Sequence, residues 1–306
     1  MSVRIGLGIA TQPFSGPRAL FRWADLCEQG RLDSLWQSDR LISTEPYLEA
    51  MSMMAALAGV TSRIKFGMNA IVVPTRDPLV LAKQCATIDY LSGGRLLPVF
   101  GVGNAHAPEW QATGRSPKGR GKRSDEALEL MQRLWTGEPV DFEGEHFQYR
   151  GAQITPGTVQ KPLPLWIGGH SKAAIARTAR VGTGWLGGLQ DPAGVGPVVE
   201  AIKAATIAAG RHISDDHFGA TFPFRIGSPD DAAASSFARL LERSGTEASS
   251  WLAVGKPEDV IARCRQYRDA GIHKFVLIAL AVGDDDLMDQ TRRLTEEVLP
   301  VVHAWD

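Results

Sequence analysis

IKFGMNAIVVPTRDPLVLAKQCATIDYLSGGRLLPVFG, residues 64–101, reads as strand, helix, strand. Ile64–Val73 is a β-branched run of the kind buried on both faces of a parallel sheet. Asp77 can cap the helix that follows, with Pro78 at its first position. Leu81, Cys85, Ile88 and Leu91 then recur at helical spacing, and Gly93-Gly94 stops the helix. Leu96–Gly101 is a second apolar run. Two such strands joined through a helix form a βαβ unit, because parallel neighbours need a long crossover.

The unit repeats outward in both directions. Strands are predicted at Arg4–Ala10, Ser34–Gln37, Ile64–Val73, Leu96–Gly101, Leu165–Gly168, Trp185–Gly187, Phe218–Ile226 and Lys274–Leu280. Helical stripes lie between them. Ala127, Leu130, Met131 and Leu134 end at Gly137; Ser171 caps a helix with Ile175 and Ala179 inward and Gly182 at its end. Pro257 opens a helix with Val260, Cys264 and Tyr267 on one face and Gly271 after it, and the last helix runs from Asp284 with Leu287, Thr291, Leu294 and Val298. Eight strands with helices between them in 306 residues predict one (β/α)₈ TIM barrel spanning 1–306, with insertion segments. The alternative is a doubly wound sheet. No early strand leads into a G-x-G-x-x-G turn, and Gly101-Val102-Gly103 comes late and lacks the third glycine. Two stretches break the alternation: 138–164, with room for a hairpin, and 228–254, where Ser228 and Pro229 are the expected start of an extra helix. Either could cover an active site or decorate the surface.

Hydrophobic residues are 44% and charged residues 22%, and the net charge is −1, so nothing calls for nucleic acid or an anionic membrane. No apolar run reaches membrane-spanning length, and the N-terminus lacks a signal-peptide pattern. Cys27, Cys85 and Cys264 are odd in number, far apart and on apolar helix faces, so they are expected in the core of a cytoplasmic protein. The seven histidines are scattered, with no HExxH, and no metal site is expected.

A barrel holds its chemistry at the C-terminal ends of its strands. After the fifth strand, Gly168-Gly169-His170 leads to Ser171 at a helix start. Bare backbone and free N–H groups there suit a phosphate, although the same residues could simply make a tight, capped turn. Gly187-Gly188 adds a second bare backbone. Asp39 and Arg40 follow the second strand, either as a local ion pair or as a carboxylate and a guanidinium facing the barrel mouth. His106 and Glu109 follow the fourth and could exchange protons. The basic run Lys118, Arg120, Lys122 and Arg123 is a solvated face or a seat for a polyanionic tail.

These stretches together resemble the luciferase-like monooxygenase superfamily, most closely the coenzyme F420-dependent oxidoreductases. The matching segments are DSLWQSD (33–39), FGMNAIVVP (66–74), LSGGRL (91–96), GVGN (101–104) with PEW (108–110), RGKRSDE (120–126), IGGHS (167–171) with GTGW (182–185), and VGKPED (254–259) with Ala270-Gly271. The resemblance implies a flavin or deazaflavin in the barrel mouth and a non-proline cis peptide in the third strand, at Asn69–Ala70. It places the phosphate site on Gly168, Gly169 and His170, and puts Asp39 and Glu109 at acidic positions facing the ring. Gly103, Asn104 and Arg120 join the expected cofactor set. Arg40 stands where many F420 relatives have a histidine acting as proton donor. Arginine stays charged at working pH, so Arg40 is expected to hold an anionic or carbonyl oxygen of substrate, with Glu109 or His106 moving protons.

The leading expectation is F420-dependent hydride transfer with a small organic substrate. The alternative is an FMN-dependent monooxygenase using reduced flavin and O2, supplied by a partner flavin reductase. A third reading, from another class, is a flavin-binding protein without turnover. The resemblance also implies a homodimer.

Overall fold

The computed structural model describes residues 3–9, 11–243 and 247–305. Its first half runs β1 (Arg4–Ile9), α1 (Pro17–Gln29), β2 (Ser34–Gln37), α2 (Ala50–Val60), β3 (Lys65–Met68), β4 (Ile71–Val72), α3 (Pro78–Ser92), β5 (Val99–Gly101), α4 (Glu109–Ala112) and α5 (Arg120–Leu134). A hairpin follows, β6 (Val140–Glu143) and β7 (Gln148–Ala152). The second half runs β8 (Trp166–Gly168), α6 (Lys172–Val181), β9 (Gly184–Leu189), α7 (Pro192–Ala208), β10 (Phe218–Ile226), α8 (Ala232–Arg243), α9 (Ala248–Trp251), β11 (Ala253–Gly255), α10 (Pro257–Asp269), β12 (Lys274–Ala279), α11 (Gly283–Arg293) and α12 (Leu299–His303).

The strands order as β3-β2-β1-β12-β10-β9-β8-β5-β4, every pair parallel. β3 and β4 are two halves of one stave, separated at Asn69–Ala70, whose peptide is cis. The predicted third strand is therefore split. A parallel bridge between Phe66 and Leu96 brings the sheet's ends together, with Leu97 N–H donating to Phe66 O at 2.8 Å. This is a (β/α)₈ barrel. All eight predicted strands are present, except that Ala10, the expected end of the first, lies outside the described residues. The fourth shortens to β5 plus the Leu96 bridge, and β11 is an addition that pairs with β10.

The lumen is filled by Trp36, Val99, Trp166, Leu186 and Val276, one from each of five strands. Gly6 makes room for this layer: a Cβ there would come 2.4 Å from Ser34 Oγ and 2.9 Å from Trp36 Nε1. Below the layer Lys274 is buried in an ion pair with Asp33 and lies 5.5 Å from the Trp36 ring centroid. The larger core lies between the outer strand faces and the helices, where Phe222 stacks on Tyr267 at 5.1 Å.

Helix punctuation follows the expected chemistry. Asp77 accepts from the Leu79 and Val80 N–H groups, and Gly93 ends α3 in the left-handed region at φ 65°. Leu91 departs from its stripe. It is 58% exposed, in the last turn of α3. The helix expected at Ser228 begins instead at Ala232; the Asp230 N–H bonds the Ser228 side chain, and the Asp231 N–H its carbonyl, so Ser228 and Pro229 form a turn. All three cysteines are free and buried, as expected, and burial pushes the Cys27 thiol pKa up.

The two insertions differ in place. Residues 138–164 link the end of α5 to the start of β8, the N-terminal side of the barrel. The hairpin packs along the outside of α5, where Glu126 accepts from the backbone N–H groups of Glu145, His146 and Phe147. Gln160 donates to Asp89 and to Leu96 O at the barrel's foot. A lid role for this insertion is thereby excluded. The described residues of the second insertion, 228–243 and 247–254, follow the C-terminal end of β10, and α8 stands at the mouth.

Candidate active site at the barrel mouth

The second and third staves deliver the first half of the site. Asp39, just past β2, is nearly fully buried and has both oxygens committed: Oδ2 to the Val72 N–H at 2.9 Å and Arg76 at 2.6 Å, Oδ1 to Arg76 at 2.7 Å. Of the two readings of Asp39-Arg40, the local ion pair does not form: Asp39 pairs with Arg76, and Arg40 lies beside Glu109. Arg76 reaches Asp39 from the turn after β4 and also bonds Glu49, whose carboxylate caps α2. Burial raises the Glu49 pKa, but the Met51 and Ser52 donors and Arg76 outweigh it and hold the group below the usual carboxylate range.

Arg40 is thereby free for the mouth. Its side chain is 47% exposed, and Nη1 lies 3.6 Å from Glu109 Oε1. Glu109 opens α4 and is buried, yet its Oε2 has no hydrogen-bond partner. An orphaned buried carboxylate oxygen costs free energy unless a ligand or water satisfies it.

Asp39, Arg40 and Glu109 line a cavity of about 300 Å³ with Ser38, Tyr47, Asn69, Ala70, Gly103 and Asn104. Ala70, Gly103 and Ala107 keep part of its lining small and nonpolar, with Gly101 and Gly168 packed near Ala70. Ala70 Cβ lies 3.5 Å from where a Cβ would stand on Gly101 and on Gly168. Asn69 Nδ2 donates to Thr221 Oγ1 at 2.9 Å, tying the third stave to β10. Gly103 has φ 72°, and a Cβ there would come 2.7 Å from Val72 Cγ1, so glycine is required at that wall. Arg120 braces the same loop, donating to Gly103 O at 3.3 Å, and Trp110 Nε1 donates to Asn104 O.

The remaining predicted residues sit around the rim rather than in this cavity. Gly168 touches this lining through Ala70. Gly169, with φ 101°, His170 and Ser171 are exposed at the start of α6, where Ser171 accepts from the Ala174 N–H. Trp185 Nε1 fixes this turn by donating to Gly169 O at 2.8 Å. Gly187 is buried and Gly188 exposed near the end of the adjacent β9. His106 is exposed and does not line the cavity. Sequence reading missed Arg76, Tyr47 and Thr221. The signal for Arg76 was available: a guanidinium in the loop after a barrel strand.

Small, bare backbone in the lining, free helix N–H groups on the rim and an unsatisfied carboxylate at the wall fit a flat ring with an anionic tail. Among the described residues one cluster of metal-ligand type occurs, Glu126, Glu145 and His146. It lies on the flank of α5, and Glu126 is already engaged as an acceptor there. No helix among the described residues is long and apolar enough to cross a membrane.

Fold and site define a barrel oxidoreductase of the flavin and deazaflavin class. The chain belongs to the luciferase-like monooxygenase family, whose model matches residues 2–251. It is 27% identical over 340 residues to the F420-dependent glucose-6-phosphate dehydrogenase of Amycolatopsis mediterranei, covering 99% of each chain. Its fold matches that of an F420-dependent secondary alcohol dehydrogenase in complex with an F420-acetone adduct, with TM-score 0.85, 18% identity and 99% of each chain covered. The FMN complex of the oxygenating constituent of 3,6-diketocamphane monooxygenase, from Pseudomonas putida, matches at TM-score 0.79 and 16% identity over 98% of each chain.

Proposed function

We propose that this protein is an F420-dependent oxidoreductase acting on a small organic substrate, with the whole chain as one catalytic unit. The observation that carries this reading is the arrangement at the mouth: an alanine-and-glycine lining beside Arg40 and the orphaned Glu109 oxygen. Ala70, Gly101 and Gly168 would hold the ring, with Asn69, Gly103 and Asn104 at its edge. Gly169, His170, Ser171 and the Gly187-Gly188 backbone would hold the phosphate, through N–H groups at the start of α6. Arg120 supports the Gly103 loop. When bound, reduced F420 supplies a hydride as a two-electron carrier.

Arg40 binds the substrate oxygen, as a fixed charge that cannot itself donate a proton in the ordinary range. Glu109 moves the proton through Oε2, which has no other partner. His106, exposed on the loop above, is the alternative carrier. Asp39 keeps the ends of the second and third staves in register by holding Arg76 and the Val72 N–H, which leaves Arg40 free.

The experiment is a pair of binding titrations, F420 and FMN, followed by fluorescence and absorbance. Tight F420 binding with weak FMN binding is the expected result. Tight FMN binding alone would replace this reading by that of a monooxygenase using reduced flavin and O2 from a partner reductase.

A further inference from the structure

A second cavity, of about 450 Å³, opens at the same end of the barrel, between α8 and the C-terminal ends of β1 and β12. None of its described lining residues is charged, and only Thr11 and Ser236 bring side-chain hydroxyls. The first cavity, in contrast, holds Asp39, Arg40 and Glu109. Their walls adjoin at the mouth: Ser38 lines one, Ile9 lines the other, and the Ser38 N–H donates to Ile9 O at 3.1 Å. Gly8, which lines the second cavity, leaves no room for a side chain, since a Cβ there would come 2.8 Å from Val276 Cγ1.

The walls are made for an apolar occupant. Ala232, Ala233 and Ser236 of α8 leave the space, and Phe237 bounds it. Leu240 on α8 is 60% exposed, and Val282 across the cleft is 67% exposed. Large apolar side chains left in water on both sides of one cleft mark a ligand groove, and the volume suits a small molecule. In the strand order β1 lies across the barrel from β8, the strand that leads into the rim with the free helix N–H groups. An anionic cofactor tail and an apolar body would therefore not compete for one place.

We infer that this chamber seats the apolar body of an amphiphilic substrate whose carboxylate or carbonyl end reaches Arg40. The inference rests on the reading of Arg40 as the substrate anchor. Adjacent strands stand about 4.8 Å apart, so the path from β12 through β1 to β2 is roughly 10 Å, the length of an eight-carbon chain.

The test is calorimetric titration of the full chain with butanoate, hexanoate and octanoate. The wild type should bind about threefold to fourfold more tightly for each added methylene. Leu240→Asp and Val282→Asp change exposed positions and should keep the thermal midpoint while flattening this ladder. Arg40→Ala should weaken all three ligands by a similar factor and keep the ladder. A flat series in the wild type, or a ladder unchanged in both aspartate variants, overturns the assignment; equal affinities for Arg40→Ala and wild type overturn its polar end. The cofactor titrations are read separately. A ladder without binding of either cofactor supports the chamber and sinks the proposed function, whereas cofactor binding with a flat series sinks the chamber alone.

Discussion

Arg40 and Lys274 are both cations near the barrel axis, and their surroundings give them opposite roles. Arg40 is half in water, its neighbour Asp39 already taken by Arg76, with Glu109 3.6 Å away. Arg40→Ala should raise KM by about tenfold to a hundredfold, the loss of one charge-assisted hydrogen bond, with a smaller fall in kcat. Steady-state kinetics check this, and unchanged KM and kcat would end the anchor role. Lys274 is fully buried, and Asp33 is its ion-pair partner. Burial alone would raise the Asp33 pKa, but the Lys274 charge and hydrogen bond outweigh it and hold the carboxyl below its usual value. Burial pulls the Lys274 pKa down, with Asp33 opposing incompletely. Asp33→Asn should cost about 3–5 kcal/mol in denaturant unfolding, because it strands a buried charge. The sign of the pH effect follows from the lowered Asp33 pKa. Its stabilisation is complete above the unfolded value of about 4 and is lost as pH falls through the folded one. Wild-type stability should therefore drop more steeply than that of Asp33→Asn below about pH 4.

At the scale of elements, the site depends on how strands hand over to helices. Asp77 fixes the start of α3 through two backbone N–H groups, and α3 follows directly on the turn that carries Arg76. Asp77→Ala should destabilise by about 1 kcal/mol, measured by urea unfolding. Gly103→Ala is expected to act on the site itself. Its positive φ and the 2.7 Å approach to Val72 Cγ1 force the loop between β5 and α4 to move. Weaker binding of the cofactor at little loss of secondary structure is the expected outcome, read by titration and circular dichroism. The insertion at 138–164 shows why element order outranks composition. Its glycines, prolines and aromatics suit a lid equally well, but a segment that joins a helix end to a strand start leaves from the wrong end of the barrel.

For the whole molecule, the mouth divides into a charged side over the second to fourth staves and an apolar side over β12, β1 and α8, with the α6 rim opposite. A ligand that binds only the folded chain raises its stability by about 2.7 kcal/mol at a hundredfold excess over Kd. Thermal unfolding should thus move up with F420 and move less with FMN at equal concentration, an outcome independent of turnover.

The barrel was legible from the chain itself because its signals are local. β-branched runs, the Asp77-Pro78 cap, the Gly93-Gly94 stop and helical stripes each act within a few residues, and eight repeats leave few architectures. The candidate residues at the strand ends, among them the Gly169-Ser171 turn and the acid at Glu109, came from position along that pattern, and the family resemblance added the cis bond at Asn69–Ala70. Pairings across the barrel were not legible. Arg76 rather than Arg40 holds Asp39, Asn69 meets Thr221 from 152 residues away, and Arg40 meets Glu109 instead. The apolar chamber is of the same kind, since α8, β1 and β12 are far apart in sequence. Local hydrogen bonding and periodicity are properties of neighbouring residues, so the sequence determined the staves and their ends. Which charge is neutralised and which is left for a ligand depends on distances that exist only once the barrel has closed.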